Sequence, residues 1–193
     1  MHSDNHKNFK QGLFKKLLRK FGIVTSYTEP HSAWQNRAES AIGEVKKLTR
    51  RSMQATGTPI RLWCFCYEHC ADILFLCATG RYDLKGCTPY ECVMHSTPDI
   101  SEYVSFDWFQ YCWYFNKATK EKKTCWWLGP AHNVGQSFCW YILLFNGSFI
   151  ARSSIIPIES HESLFDEMKL QCLNFTISVE EKLVTAQEAV YDV

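Results

Sequence analysis

Two carboxylates, Asp4 and Glu39, stand 35 positions apart in stretches otherwise rich in cations and amides, HSDN at 2–5 and YTEPHSAWQNRAESAIGEVKK at 27–47. A pair of carboxylates can hold Mg²⁺ or Mn²⁺ through oxygen ligands. With the metal between them they can orient a water or a 3′-hydroxyl for in-line attack on a phosphodiester. Cations beside such a pair would hold the polyanion itself. On a helical wheel with Glu39 at zero, Lys46 falls at about −20°, Arg50 at about +20°, Lys47 at about +80° and Arg51 at about +120°. Ala38, Ala41, Ile42, Val45, Leu48 and Thr49 cluster between roughly 180° and 300° and form the expected core face. A solvated basic face is the plain reading of any such helix. Glu39 among the cations is what favours a face that holds metal and phosphate together.

The elements that must position these groups come in a definite order. Phe9, Leu13, Leu17, Leu18 and Phe21 recur at helical spacing, Gly22 stops that helix, and Ile23–Tyr27 is a short β-prone run. The spacing therefore predicts strand end, helix, strand, loop and helix. In such an α/β layout a carboxylate at a strand's carboxyl end is placed to meet one on a later helix.

These residues carry a resemblance. SDN at 3–5, GI at 22–23 and the loop TEPHSAWQNRAES at 28–40, leading into a Lys-rich helix, resemble the second half of the integrase core of retroviruses and LTR retrotransposons. Thr88-Pro89-Tyr90-Glu91, then Pro98-Asp99-Ile100-Ser101 and Phe106, are similar to the linker of copia-type elements and carry the match past the core. The chain departs from the family's pattern at His6 and at Arg37, where the family commonly has glycine.

The resemblance implies a piece of a Pol polyprotein with fold class α/β then all-β: the carboxyl-terminal half of a ribonuclease H-like integrase core, a small antiparallel β-barrel and an acidic tail. It makes Asp4 and Glu39 the second and third members of an Asp-Asp-Glu metal triad. It also puts Gln35 and Asn36 in the loop beside the donor end, and Lys46, Lys47 and Arg50 on phosphates. The implied partner is DNA, both element ends and target. The strand bearing the first Asp has no match, so the expectation is an amino-terminally truncated integrase, inactive by itself. The alternative is a non-catalytic DNA- or chromatin-binding remnant.

Composition agrees with one or two small domains: 193 residues, 46% hydrophobic and 15% aromatic, are ample for buried cores. The net charge of +1 hides an asymmetry. Residues 1–56 hold 11 Lys/Arg against 4 Asp/Glu, residues 57–158 hold 8 against 8, and residues 159–193 hold 2 against 8. The amino-terminal part faces a polyanion and the tail does not. Ten cysteines without a secretory signal point to free thiols in a reducing compartment, nucleus or cytoplasm. Cys64, Cys66 and Cys70 with His69 invite a zinc reading, but their helical spacing does not converge on one metal, and buried apolar cysteines are the alternative taken. His2 and His6 have ligand spacing, with a flexible amino terminus as the simpler account. No run of about twenty apolar residues spans a membrane. The sequons at Asn146 and Asn174 carry no weight without a secretory signal.

The expected division is 1–80 partial core, 81–101 linker with a short helix, 102–158 barrel and 159–193 tail. The helix expected over 60–78 is apolar nearly all round, hence core or interface. The resemblance implies self-association there, giving a homo-oligomer, with plain core packing as the alternative. Strand-like runs at 104–114, 124–128, 137–145, 149–152 and 154–158 predict the barrel. A type I′ hairpin is expected at Asn146-Gly147. Trp108, Trp113, Trp126, Trp127, Trp140 and Tyr141 read either as base-stacking groups or as core. Lys117, Lys120, Lys122 and Lys123, expected on one loop, are candidate phosphate contacts. The tail is expected to form one helix near 161–173 and then a loose segment.

Overall fold

The computed structural model describes residues 2–3, 10–27, 29, 37–78, 80, 84–116, 119–134, 138–158 and 165–191, the side chains of the last helix up to Lys182. The chain divides into two units, Met1–Leu48 and Thr49–Val193.

In the first unit, β1 (His2–Ser3) and β2 (Ser26–Tyr27) pair in parallel, with His2 opposite Ser26 and Ser3 opposite Tyr27. Parallel neighbours need a crossover, and α1 (Gly12–Lys20) supplies it. The helix ends as Gly22 predicts. Gly22 adopts φ +64°, its N–H donates to the Arg19 carbonyl at 3.1 Å, and the Ile23 N–H donates to the Leu18 carbonyl at 2.9 Å. That double closure satisfies carbonyls that have no partner within the helix. Arg19 and Lys20 in the last turn complement its negative end. The next helix, α2 (Arg37–Thr56), carries Glu39 in its first turn and closes at Gly57 in the same way, the Thr58 N–H reaching the Met53 carbonyl at 3.1 Å.

In the second unit a 3₁₀ turn, Ile60–Leu62, leads into α3 (Trp63–Leu76). The short α4 (Pro89–Met94) has the predicted start. The Glu91 N–H donates to Thr88 Oγ1 at 3.0 Å, the Thr88 N–H donates to Glu91 Oε2 at 2.8 Å, and Pro89 occupies the first turn. After α5 (Ser101–Val104) come β3 (Tyr111–Asn116), β4 (Glu121–Pro130), β5 (Trp140–Leu143), β6 (Phe149–Arg152) and β7 (Ile155–Pro157). These form one antiparallel sheet in the order β6-β5-β4-β3-β7.

The expected five strands are therefore present, but the expected closed barrel is not. β6 and β7 are consecutive, with only Ser153 and Ser154 between them, yet they lie at opposite ends of the strand order. A flat five-stranded sheet would hold its edges about 19 Å apart, whereas that connection reaches about 11 Å. The sheet must curl, and a bulge between Trp127 and Gly129, where Gly129 has φ +111°, bends the long β4 in its middle. Strands of four and three residues bring the edges near each other without forming a ladder.

Three local expectations change. The run expected over 104–114 becomes strand only at Tyr111: Ser101–Val104 is helical, and the Gln110 N–H closes a turn on the Asp107 carbonyl at 3.1 Å, with Phe109 at φ +56°. At Asn146-Gly147 only the glycine has positive φ, +80°. The Gly147 N–H bonds the Leu144 carbonyl at 2.9 Å and the Leu144 N–H bonds the Ser148 carbonyl at 2.8 Å, so the loop has three residues, Phe145 to Gly147, rather than two in a type I′ turn. Finally, the tail forms one long helix, α6 (Asp166–Tyr191), in place of a short helix and a loose segment.

The core of the second unit lies around β4. Trp127, Cys112, Cys125, Ile142 and Cys66 are wholly out of solvent. α3 contributes Phe65, edge-on to Tyr141 and Phe149, and His69, stacked on Trp108 and edge-on to Trp127. α6 contributes Phe175, which meets Tyr111, Trp126 and Phe145 edge-on. The Lys182 ammonium anchors that helix further, donating to the Phe145 carbonyl at 2.9 Å and lying 4.8 Å from the ring centre.

Candidate nucleic-acid interface

The basic face predicted on α2 is present. Glu39, Lys46, Lys47, Arg50 and Arg51 are exposed, and Glu39 stands where the helix amino terminus favours negative charge. The core face is shorter than expected. Ala38, Ala41 and Ile42 are exposed, and burial on this helix is confined to Thr49 and Met53 near its far end. Lys47 pairs with Glu44 at 3.0 Å, an exposed contact one turn apart that solvent and salt screen. Asp4, Gln35 and Asn36 lie outside the described residues. In the sequence Asp4 follows Ser3, the last residue of β1.

Lys122 and Lys123 lie within β4, not on a loop, because the turn falls earlier, with Lys120 at φ +56°. Neighbouring positions of a strand point to opposite faces, so the two ammonium groups cannot follow one phosphate run together. Lys122 sits 4.6 Å from the centre of the Trp113 ring, and Lys123 pairs with Glu121 at 3.3 Å. Lys120 is exposed, and Lys117 lies outside the described residues.

The tryptophans divide. Trp127 and Trp108 are core, the first stacked with Phe106 at 5.7 Å and the second donating from Nε1 to Thr58 Oγ1 at 3.0 Å. Trp113, Trp126, Trp140 and Tyr141 are half-buried. Trp126 already has Phe109 parallel to it at 4.5 Å.

Among the described residues, no group of three or more His, Cys, Asp or Glu is placed to hold a metal. Cys66 and Cys70, four apart, do share a face of α3 and are both buried, while Cys64 is exposed. The hydrogen bond that the Cys66 thiol donates to Cys70, then burial, push the Cys66 thiol up. The bond from Cys66 pulls Cys70 down while burial opposes it. With both side chains out of solvent the pair serves as small apolar core groups; their S–H donors reach the Thr49 carbonyl and Ser52 Oγ, each at 3.8 Å. Cys112 and Cys125, opposite each other on β3 and β4 with sulfurs 3.4 Å apart, have the same character.

A second polar group was not legible in the sequence. Tyr103 Oη donates to Asp72 Oδ2 at 2.7 Å, His132 Nε2 lies 3.4 Å from the same oxygen, and His132 Nδ1 lies 3.8 Å from Glu102 Oε2. Burial and the Asp72 carboxylate hold the Tyr103 hydroxyl far above its ordinary range, so it stays a donor. Trp140 Nε1 donates to the Glu102 carbonyl at 3.1 Å. The cluster ties α3 and α5 to the turn after β4. Tyr103, Asp72 and His132 lie 29 to 60 positions apart, and no local spacing announces them.

His69 is enclosed by Tyr103, Trp108 and Trp127, and its Nδ1 has no hydrogen-bond partner among the described residues. Burial lowers its pKa to about 4 against the opposing pull of Asp72. The ring is therefore neutral at pH 7 and behaves as an aromatic of the core. On α3 the residues Phe65, Cys66, His69 and Cys70 pack within their own unit, while Trp63, Phe75 and Cys77 remain exposed. No described helix is long and apolar enough to cross a membrane. No protein-family model matches this chain, and no curated protein or solved structure matches it either.

Proposed function

We propose that this chain is part of a copia-type integrase, the DNA-holding portion of an enzyme that joins 3′ ends of element DNA to target DNA by metal-dependent transesterification. The observation that carries this reading is the parallel pairing of β1 with β2 across α1. Asp4 follows the last residue of β1 in the sequence, and the next helix carries Glu39 in its first turn with Lys46, Lys47 and Arg50 exposed beyond it. In open parallel sheets ligands gather outside the carboxyl ends of strands. Asp4 and Glu39 would there hold Mg²⁺ or Mn²⁺, Gln35 and Asn36 would shape the loop beside the donor end, and the cations would hold phosphates. The metal would supply Lewis acidity and a positioned oxygen nucleophile. The curled five-stranded sheet would stand where these elements carry a barrel after the core, and Lys122 over Trp113 would be its contact to a nucleic-acid backbone.

No position in this sequence matches the family's first Asp. The proposed activity of this chain by itself is accordingly DNA binding without joining, in the nucleus or cytoplasm. The test is strand transfer on a pre-processed oligonucleotide duplex with Mn²⁺, run with the wild-type chain and Glu39→Gln. Salt-sensitive DNA binding by both proteins, without joined product, is the expected outcome. Products that vanish in Glu39→Gln would mean that assembly completes the site. Absence of DNA binding at low salt would sink the reading.

A further inference from the structure

Of the seven asparagines in the chain, only Asn146 precedes a glycine; the others precede His, Phe, Arg, Lys or Val. A Cβ on the following residue screens its main-chain nitrogen and restricts the backbone rotations that bring an asparagine carboxamide onto it. Glycine imposes neither. Asn146 lies in the three-residue loop between β5 and β6, where Phe145, Asn146 and Ser148 are exposed and Gly147 has φ +80°.

Asn146 Oδ1 accepts from the Ser148 N–H at 3.1 Å and from Ser148 Oγ at 2.6 Å. These bonds fold the carboxamide back along the chain and draw electron density from its carbonyl carbon. The nearest nucleophile is the Gly147 main-chain nitrogen, and its N–H is held by the Leu144 carbonyl at 2.9 Å. Attack therefore waits on local opening of this turn. α6 opposes that opening. Lys182 Nζ donates to the Phe145 carbonyl at 2.9 Å and lies 4.8 Å from the Phe145 ring centre, and the Lys182 stem passes 3.6 Å from where a Cβ on Gly147 would stand.

We propose that Asn146 is a site of spontaneous deamidation, gated by the hold of α6 on its loop. When the turn opens, hydroxide takes the Gly147 amide proton and the nitrogen attacks Asn146 Cγ. The new C–N bond closes a five-membered succinimide, the carboxamide C–N bond breaks, and ammonia leaves. Water then opens the ring at either carbonyl, giving aspartate or isoaspartate, and nothing is oxidised or reduced. Either product places a negative charge in the loop. Isoaspartate also lengthens the main chain of a loop whose length sets its turn geometry. The proposal does not depend on the DNA reading.

The experiment is incubation of the folded full chain at mildly alkaline pH, followed by peptide mapping in a mass spectrometer, where conversion exchanges an NH₂ for an OH. Isoaspartate is read separately by enzymatic methyl transfer from labelled S-adenosylmethionine. The wild type is expected to convert at Asn146 about tenfold or more faster than at Asn133 or Asn174, which are also exposed but precede Val and Phe. Lys182→Met keeps the stem and removes the ammonium. It is expected to convert several-fold faster than wild type, with unchanged far-ultraviolet circular dichroism because Lys182 is exposed. Asn146→Gln, whose longer carboxamide would need a six-membered ring, is expected to lose the methyl acceptance. Conversion at Asn146 no faster than at Asn133 overturns the site, as does methyl acceptance that persists in Asn146→Gln. A Lys182→Met rate equal to or below that of wild type overturns the gate.

Discussion

His69 shows how a side chain's environment overrides its type. Its spacing beside three cysteines reads as metal chemistry, yet its ring lies 5.2 Å from the Trp108 ring in a stacked arrangement, with burial holding it neutral. The folded-state pKa of about 4 lies below the unfolded value of 6.5, so between those values the unfolded chain binds more protons and stability falls as pH falls. Between pH 7 and pH 5 the loss from this group is expected to be about 2 kcal/mol, vanishing as a slope below pH 4. Urea unfolding at the two pH values measures it. His69→Phe should flatten the difference while keeping the aromatic packing. An undiminished slope in the variant would place the titration elsewhere.

At the scale of elements, the acidic tail departs furthest from expectation. Its composition reads as a short helix and loose chain, and what makes it one helix is a tertiary contact: Phe175 and Val179 are about 1% exposed, the former against Tyr111, Trp126 and Phe145. Most helical stability in proteins comes from such packing rather than propensity. Phe175→Ala is therefore expected to cost about 3–5 kcal/mol and to release α6 from the sheet. Hydrogen exchange of the 166–182 amides, compared with that of β4, reads this directly. Equal protection in variant and wild type would show that α6 stands without its anchor. Elements with strong local chemistry were legible beforehand: the capped α4, the Gly22 and Gly57 helix stops, and β6. The run from Val104 was not, because alternating aromatics mimic a strand until the Asp107–Gln110 turn and the left-handed Phe109 interrupt them.

For the molecule as a whole, charge placement makes the testable statement. The excess of Lys/Arg in residues 1–56, 11 against 4 acids, is exposed on α2 at Lys46, Lys47 and Arg50. If these three hold phosphates, replacing them with glutamine should reduce DNA affinity for all sequences alike. The slope of log K against log salt should become shallower by about 0.9 for each phosphate no longer neutralised, measured by fluorescence anisotropy from 50 to 200 mM salt. An unchanged slope would return α2 to the plain reading, a solvated basic face.

What the sequence by itself determined are the features written in local chemistry. These are the order strand, helix, strand, helix in the first 56 residues, the helix ends, the number of later strands, and the exposed cations of α2. Each depends on neighbours a few positions away, through φ preferences, caps and periodicity. Only the tertiary structure decided that the sheet curls without closing, that Lys122 and Lys123 sit on a strand, and that Trp108 and Trp127 are core. It likewise decided that Tyr103, Asp72, Glu102 and His132 meet, and that the tail is one helix. Those outcomes depend on the reach of a two-residue connection and on side chains brought together from 29 to 60 positions apart. No local period records such distances.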